Sequence, residues 1–112
     1  INSAAPGKQG HLTPEAARQF VEKRAAHPTG VLLDPNGAVG RLYGAKTTPH
    51  LFIIDPNGVL IYAGAIDDIA SPDPRDIPKA VNYVATALEE AMAGQPVSVM
   101  ESRPYGCSVK YQ

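Results

Sequence analysis

One thiol and one proline carry most of the chemistry that this sequence offers. Cys107 is the sole cysteine, in Arg103-Pro104-Tyr105-Gly106-Cys107-Ser108-Val109-Lys110. The flanking Arg103 and Lys110 favour the thiolate, the form that attacks a disulfide. Two readings stand side by side: a resolving or regulatory thiol, which makes Cys107 the catalytic candidate, or a small, partly buried tail residue of the kind free cysteines usually are. With one cysteine there is no internal disulfide, and cysteine usage does not report the redox compartment. Pro49 sits at the front of Thr47-Thr48-Pro49-His50-Leu51-Phe52-Ile53-Ile54-Asp55-Pro56-Asn57-Gly58-Val59-Leu60-Ile61-Tyr62-Ala63-Gly64. Residue type and position alone favour a trans proline opening a strand, since few X-Pro bonds are cis.

Other combinations offer less. His11, His27 and His50 are far apart with no short ligand spacing, so neither a metal site nor a cofactor is expected. Asp67 and Asp68 read as part of a solvated, proline-rich connection with an N-cap near its end rather than as paired catalytic carboxylates. Gly37 and Gly40 lack the following Lys-Ser/Thr of a phosphate loop.

The elements that must position Pro49 and Cys107 follow from local signals. Ile1-Asn2-Ser3 reads as the end of a strand and residues 4–11 as a loop. Thr13 as N-cap, Pro14 in the first turn and Glu15 start a helix that turns Phe20 and Val21 into a core and stops at Pro28 and Gly30. Val31-Leu32-Leu33 reads as a buried strand ended by Asp34-Pro35-Asn36-Gly37. A short helix from Ala38 to Tyr43 groups Val39, Leu42 and Tyr43, and Gly44 caps it. Leu51 to Ile54, apolar throughout, predicts a strand covered on both faces, paired through Pro56-Asn57-Gly58 with Val59 to Ala63. A long helix is expected from Asp76 to Ala93 with Ile77, Val81, Val84, Ala85, Leu88 and Met92 as its stripe, ended by Gly94 and Pro96. Residues 95–112 form an extended tail that lines an edge or wraps the body. Asp-Pro-Asn-Gly occurs at 34–37 and 55–58, but one copy leads into a helix and the other joins two strands, so it is a turn device and not a repeat.

Composition bounds the partners. The chain has 112 residues, 44% hydrophobic, enough for one modest core. Ten Lys and Arg against eleven Asp and Glu leave a net charge of -1. No basic field exists for nucleic acid or anionic lipid. No apolar run is long enough to span a membrane, and the N-terminus has no signal-peptide pattern. A soluble protein is expected, with bacterial cytoplasm and periplasm both open. The absent initiator Met points to a processed product, a designed chain or a fragment.

The order of helix, short strand ending in Asp34, short helix with Tyr43-Gly44, Thr48-Pro49, hairpin and long helix resembles the redoxin branch of the thioredoxin-like superfamily. That branch includes AhpC/TSA peroxiredoxins and TlpA-like thiol-disulfide oxidoreductases. The similarity covers residues 1 to about 94, and its most specific part is Tyr43 to Asp55 followed by Gly58. It implies an α/β, incomplete thioredoxin fold, a single domain over residues 1–112 truncated at its N-terminus. It also implies that Pro49 is cis and that Thr48, Pro49 and His50 form a substrate-binding wall. There the Thr48 backbone N–H and C=O would pair with an extended peptide, across from a catalytic cysteine. The family's Cys-x-x-Cys or Cys-Pro nucleophile has no counterpart among these residues, since nothing before Cys107 is a cysteine.

Two functions follow. By resemblance, the intact parent is an antioxidant-type thiol-disulfide oxidoreductase or peroxiredoxin-like enzyme, its partners protein thiols, disulfides or peroxide, and this chain is the cis-Pro half, inactive alone. The alternative is a non-catalytic association or binding module. In that reading a missing central strand exposes the Leu51 to Ile54 edge, and a homodimer covers it.

Overall fold

The computed structural model describes residues 1–112. It is an α/β chain with three α-helices, one 3₁₀ helix and four short strands. The backbone divides into two compact units, Ile1–Ala45 with Val109–Gln112, and Lys46–Ser108.

In the first unit, α1 (Pro14–Lys23) begins where its residues dictate: Thr13 Oγ1 accepts from the Ala16 amide at 3.2 Å, and Pro14 fills the first turn. The helix ends before the Pro28 and Gly30 signals. The Ala26 amide donates to the Val21 carbonyl and the Ala25 amide to the Glu22 carbonyl. This is a Schellman closure, with Ala25 at φ 47° where glycine is usual. Phe20 does not enter the core. It is 52% exposed and covered by the Arg24 guanidinium, 5.4 Å from its ring centroid, while Ala17 is the buried residue of α1.

Val31-Leu32-Leu33 is likewise not a buried strand. Only Leu33 pairs, in one parallel bridge to Asn2, fixed by Asn2 N–H to the Leu32 carbonyl and Asp34 N–H to the Asn2 carbonyl. A single bridge buries neither face, and Val31 and Leu32 lie exposed. Helix α2 (Ala38–Leu42) forms as expected and closes through Gly44 at φ 66°. Its inward residue, however, is Gly40, whereas Leu42 is 83% exposed and Tyr43 is exposed too. The reason is steric: a Cβ at Gly40 would stand 2.6 Å from the Tyr111 hydroxyl and 2.7 Å from Ser3 Oγ.

The second unit holds β1 (Thr47–Thr48), β2 (Leu51–Ile54), β3 (Leu60–Gly64), α3 (Tyr83–Met92) and β4 (Cys107–Ser108). Strands β2 and β3 form the expected antiparallel hairpin, with an irregular register between Ile53 and Ile54. Asp55 organises the turn: its Oδ1 accepts from the amides of Asn57 and Val59, both at 2.9 Å. Leu51, Phe52 and Ile53 are half-buried and Ile54 is exposed, so β2 is not covered on both faces. Helix α3 packs on this hairpin, burying Ala87 and bringing the Tyr83 ring 6.4 Å from the fully buried Tyr62.

The helix expected from Asp76 to Ala93 is two elements. A 3₁₀ helix, Pro74–Lys79, is capped by Asp73, and α3 restarts after Asn82, whose Oδ1 accepts from the Ala85 amide at 2.8 Å. Pro78 prevents a continuous α-helix, because it lacks the amide that would bond back to Pro74; it is accommodated inside the 3₁₀ helix, and the backbone becomes extended at Ala80 (ψ 143°). Of the expected stripe only Val84 is half-buried; Ile77 (68% exposed), Val81, Ala85, Leu88 and Met92 are exposed, and the residue that α3 buries is Ala87. The far end obeys its signal: Gly94, at φ 72°, closes α3.

The tail lines edges. Its residue Glu101 bridges Ala63 in parallel, with Ala63 N–H donating to the Met100 carbonyl and Ser102 N–H to the Ala63 carbonyl. Gly64 allows this approach, since a Cβ there would come within 2.8 Å of the Ser102 nitrogen. No helix is long and apolar enough to cross a membrane.

Candidate functional site

The Thr48–Pro49 peptide bond is cis, as the redoxin resemblance implies. Local hydrogen bonds shape the loop around it: Thr47 Oγ1 donates to the Pro49 carbonyl at 2.7 Å, and the Lys46 amide donates to His50 Nδ1 at 3.2 Å. Because Nδ1 accepts, the proton of the neutral ring sits on Nε2. The imidazole stacks on Phe52, with centroids 4.4 Å apart and planes inclined by 27°. Its pKa is lowered from the ordinary 6.5 by burial and by the positive charge of Lys46.

The strand before the proline is not open. Strand β1 pairs antiparallel with β4, Thr47 opposite Ser108 and Thr48 opposite Cys107. The structure therefore brings Thr48 and Cys107, selected separately from the sequence, directly across from each other. Cys107 is an exposed free thiol.

Three residues not singled out from the sequence hold this pairing. Gly106, at φ 126°, lies against the Thr48 carbonyl; a Cβ would collide with that oxygen and stand 3.0 Å from its carbon and 3.3 Å from Pro49 Cδ. The Tyr105 hydroxyl donates to Asp67 Oδ1 at 2.5 Å. This bond and the negative charge of Asp67 push the phenol up to about 12. Ser102 Oγ lies 2.6 Å from the Tyr62 hydroxyl and accepts from the Ala65 amide at 2.9 Å. The punctuation Pro104-Tyr105-Gly106 ahead of a short alternation was the available signal for a paired edge.

The Asp67-Asp68 pair is structural. Asp67 receives Tyr105 and the Ile69 amide, and Asp68 Oδ1 accepts from the Val81 amide at 2.8 Å. No group of three or more His, Cys, Asp or Glu side chains could hold a metal ion. In the first unit Asp34 is buried and accepts from Ser3 Oγ at 2.7 Å and the Gly40 amide at 2.9 Å. These bonds, the Gly40 amide foremost, lower its pKa from 3.8 against the opposing effect of burial. A groove of about 390 Å³ in the same unit is lined mainly by apolar residues, among them Ala17, Val21, Val31 and Leu33.

Mixed helices and small sheets define an α/β protein, and two solved structures share its backbone. A hypothetical protein from Sinorhizobium meliloti 1021 superposes with a TM-score of 0.83 at 25% identity, over 100% of this chain and 60% of that one. An uncharacterized conserved protein from Geobacillus kaustophilus superposes with a TM-score of 0.83 at 28% identity, over 100% of this chain and 58% of that one. The chain thus spans about three fifths of the length of these similar proteins. No protein-family model and no curated protein matches it.

Proposed function

We propose that this chain is the cis-Pro half of a thioredoxin-like, redoxin-branch domain, and that its Thr48-Pro49-His50 segment forms the peptide-facing wall of a thiol-disulfide or peroxide-reducing site. The observation that carries the reading is the backbone edge at Thr48. It engages an extended strand with a cysteine opposite Thr48, the main-chain mode by which a sheet edge takes up a peptide. The lowered pKa of His50 adds a neutral, partly buried imidazole next to that edge. The attacking thiol would belong to the longer parent, which fits a chain spanning 60% and 58% of its structural neighbours.

Insulin-disulfide reduction and peroxide consumption test this. The chain alone is expected to match a thiol blank, and turnover lost in Cys107→Ser would overturn the division of labour. The parent, with an upstream cysteine, is expected to turn over one of the two substrates; a parent without such a cysteine, or inert towards both, sinks the redox reading.

The exposed apolar side chains Ile54, Val59 and Leu60 around the hairpin turn favour a second reading, a non-catalytic module that self-associates there. Light scattering decides it: concentration-dependent dimers support it, and a strict monomer at high concentration removes it.

A further inference from the structure

We infer that residues 105–108 act as a built-in occupant of the peptide edge at Thr47 and Thr48, keeping it closed until an extended peptide of a partner takes their place. This rests on the reading of that edge as a peptide-docking surface. The β4 segment lies where such a peptide would lie, antiparallel to β1, with Cys107 opposite Thr48.

The segment is matched to the edge. Gly106 packs on the Thr48 carbonyl at a place where any side chain would collide. One residue earlier, the Tyr105 hydroxyl latches onto Asp67, itself held by the Ile69 amide and by a bridge to Asn82. Upstream, Ser102 is fastened to Tyr62 and Ala65. Beyond these anchors the ladder itself is two residue pairs long, with Thr48, Cys107 and Ser108 exposed. So short and exposed a ladder belongs to the low-stability end of a fold, the part that opens without global unfolding. The displacing peptide should therefore be extended, with a glycine or other minimal residue just before the position opposite Thr48.

The test uses the full chain and a fluorescein-labelled peptide, Pro-Tyr-Gly-Ser-Ser-Val, in which serine replaces the cysteine so that no disulfide can form. Two variants loosen the tail: Gly106→Val, by collision with the Thr48 carbonyl, and Tyr105→Phe, by removing only the latch. Amide hydrogen exchange at residues 47, 48, 107 and 108 reports opening, and unchanged protection at residues 51–64 reports an intact hairpin. Either variant with the hairpin intact is expected to exchange about tenfold faster at the four residues and to bind the peptide about tenfold more tightly than the parent chain. If the parent chain binds the peptide as tightly as the variants, the tail does not close the edge, while the docking surface stands. If the tail opens and the peptide still does not bind, both the inference and the peptide-facing wall fail. Unchanged exchange in both variants overturns the inference alone, because Gly106 and Tyr105 then do not hold the segment.

Discussion

Tyr62 and Ser102 meet through their hydroxyls, 2.6 Å apart, and Tyr62 also donates to the Ala65 carbonyl at 2.5 Å. Tyr62 is the largest fully buried side chain, so its polar end sits where an unmet hydrogen bond is costly. Ser102→Ala strips a partner from Tyr62 and from the Ala65 amide. A loss of about 1–3 kcal/mol is expected, read as a lower urea midpoint at unchanged slope.

Ala25 performs at the end of α1 the task that Gly44 and Gly94 perform for α2 and α3, with the same left-handed backbone. A Cβ is unfavourable in that conformation, so Ala25→Gly is expected to stabilise the protein by about 0.5–1 kcal/mol. A lower melting temperature in this variant would contradict the closure described for α1.

Asn82 restarts the helix after the interruption at Pro78. Replacing it with alanine leaves the Ala85 amide without its side-chain acceptor, for a loss of about 1 kcal/mol, whereas Asn82→Asp should be nearly neutral. Chemical denaturation of the two variants distinguishes a capping role from a packing role.

His50 makes stability depend on pH near neutrality. Its folded pKa lies below the unfolded value of 6.5, so the unfolded chain binds the proton more readily. The contribution is complete above 6.5 and is lost as pH falls through that value towards the folded pKa. His50→Gln is expected to flatten the melting-temperature profile in this window; an unchanged slope would show that another group is responsible.

Tyr105 acts at the opposite end of the scale. Its pKa is raised from 10.0 to about 12 by Asp67, so its contribution is complete below 10 and is lost as pH rises through about 12. Burial raises Tyr62 and Tyr111 as well, so in an ultraviolet titration more than one of the five tyrosines should ionise late, and Asp67→Asn should bring one of these steps down. If no late step moves in that variant, Asp67 does not raise Tyr105.

Much of the fold was legible because its signals are local. Thr13, Gly44, Gly94 and the turn after Asp55 each act within a few residues of themselves, and the structure has a cap, two helix closures and a hairpin turn at these places. The end of α1 was hidden because alanine occupies a glycine position. The split before α3 is hidden by a regular apolar stripe that continues across Pro78, although the proline itself is a break signal. Phe20 and Leu42 look like core residues by type, yet the residues their helices bury are the small Ala17 and Gly40, the latter because Tyr111 and Ser3 approach it too closely for a side chain. At the candidate site, Thr48, Pro49, His50 and Cys107 were each identifiable singly. Their meeting was not, since two-residue strands carry no pattern and Asp67 and Tyr105 are distant in sequence.

The twin Asp-Pro-Asn-Gly turns bear on how the protein ages. Asparagine followed by glycine is the sequence most prone to deamidation, a reaction in which the glycine amide nitrogen attacks the asparagine side-chain carbonyl. In both turns that nitrogen is engaged: Gly37 N–H donates to the Asp34 carbonyl and Gly58 N–H to the Asp55 carbonyl, each at 2.9 Å. The same bonds that form the turns therefore restrain the attacking atom. Chemical lifetime at Asn36 and Asn57 is in this way tied to the folded state, and conversion to aspartate or isoaspartate at either site becomes a record of time spent unfolded.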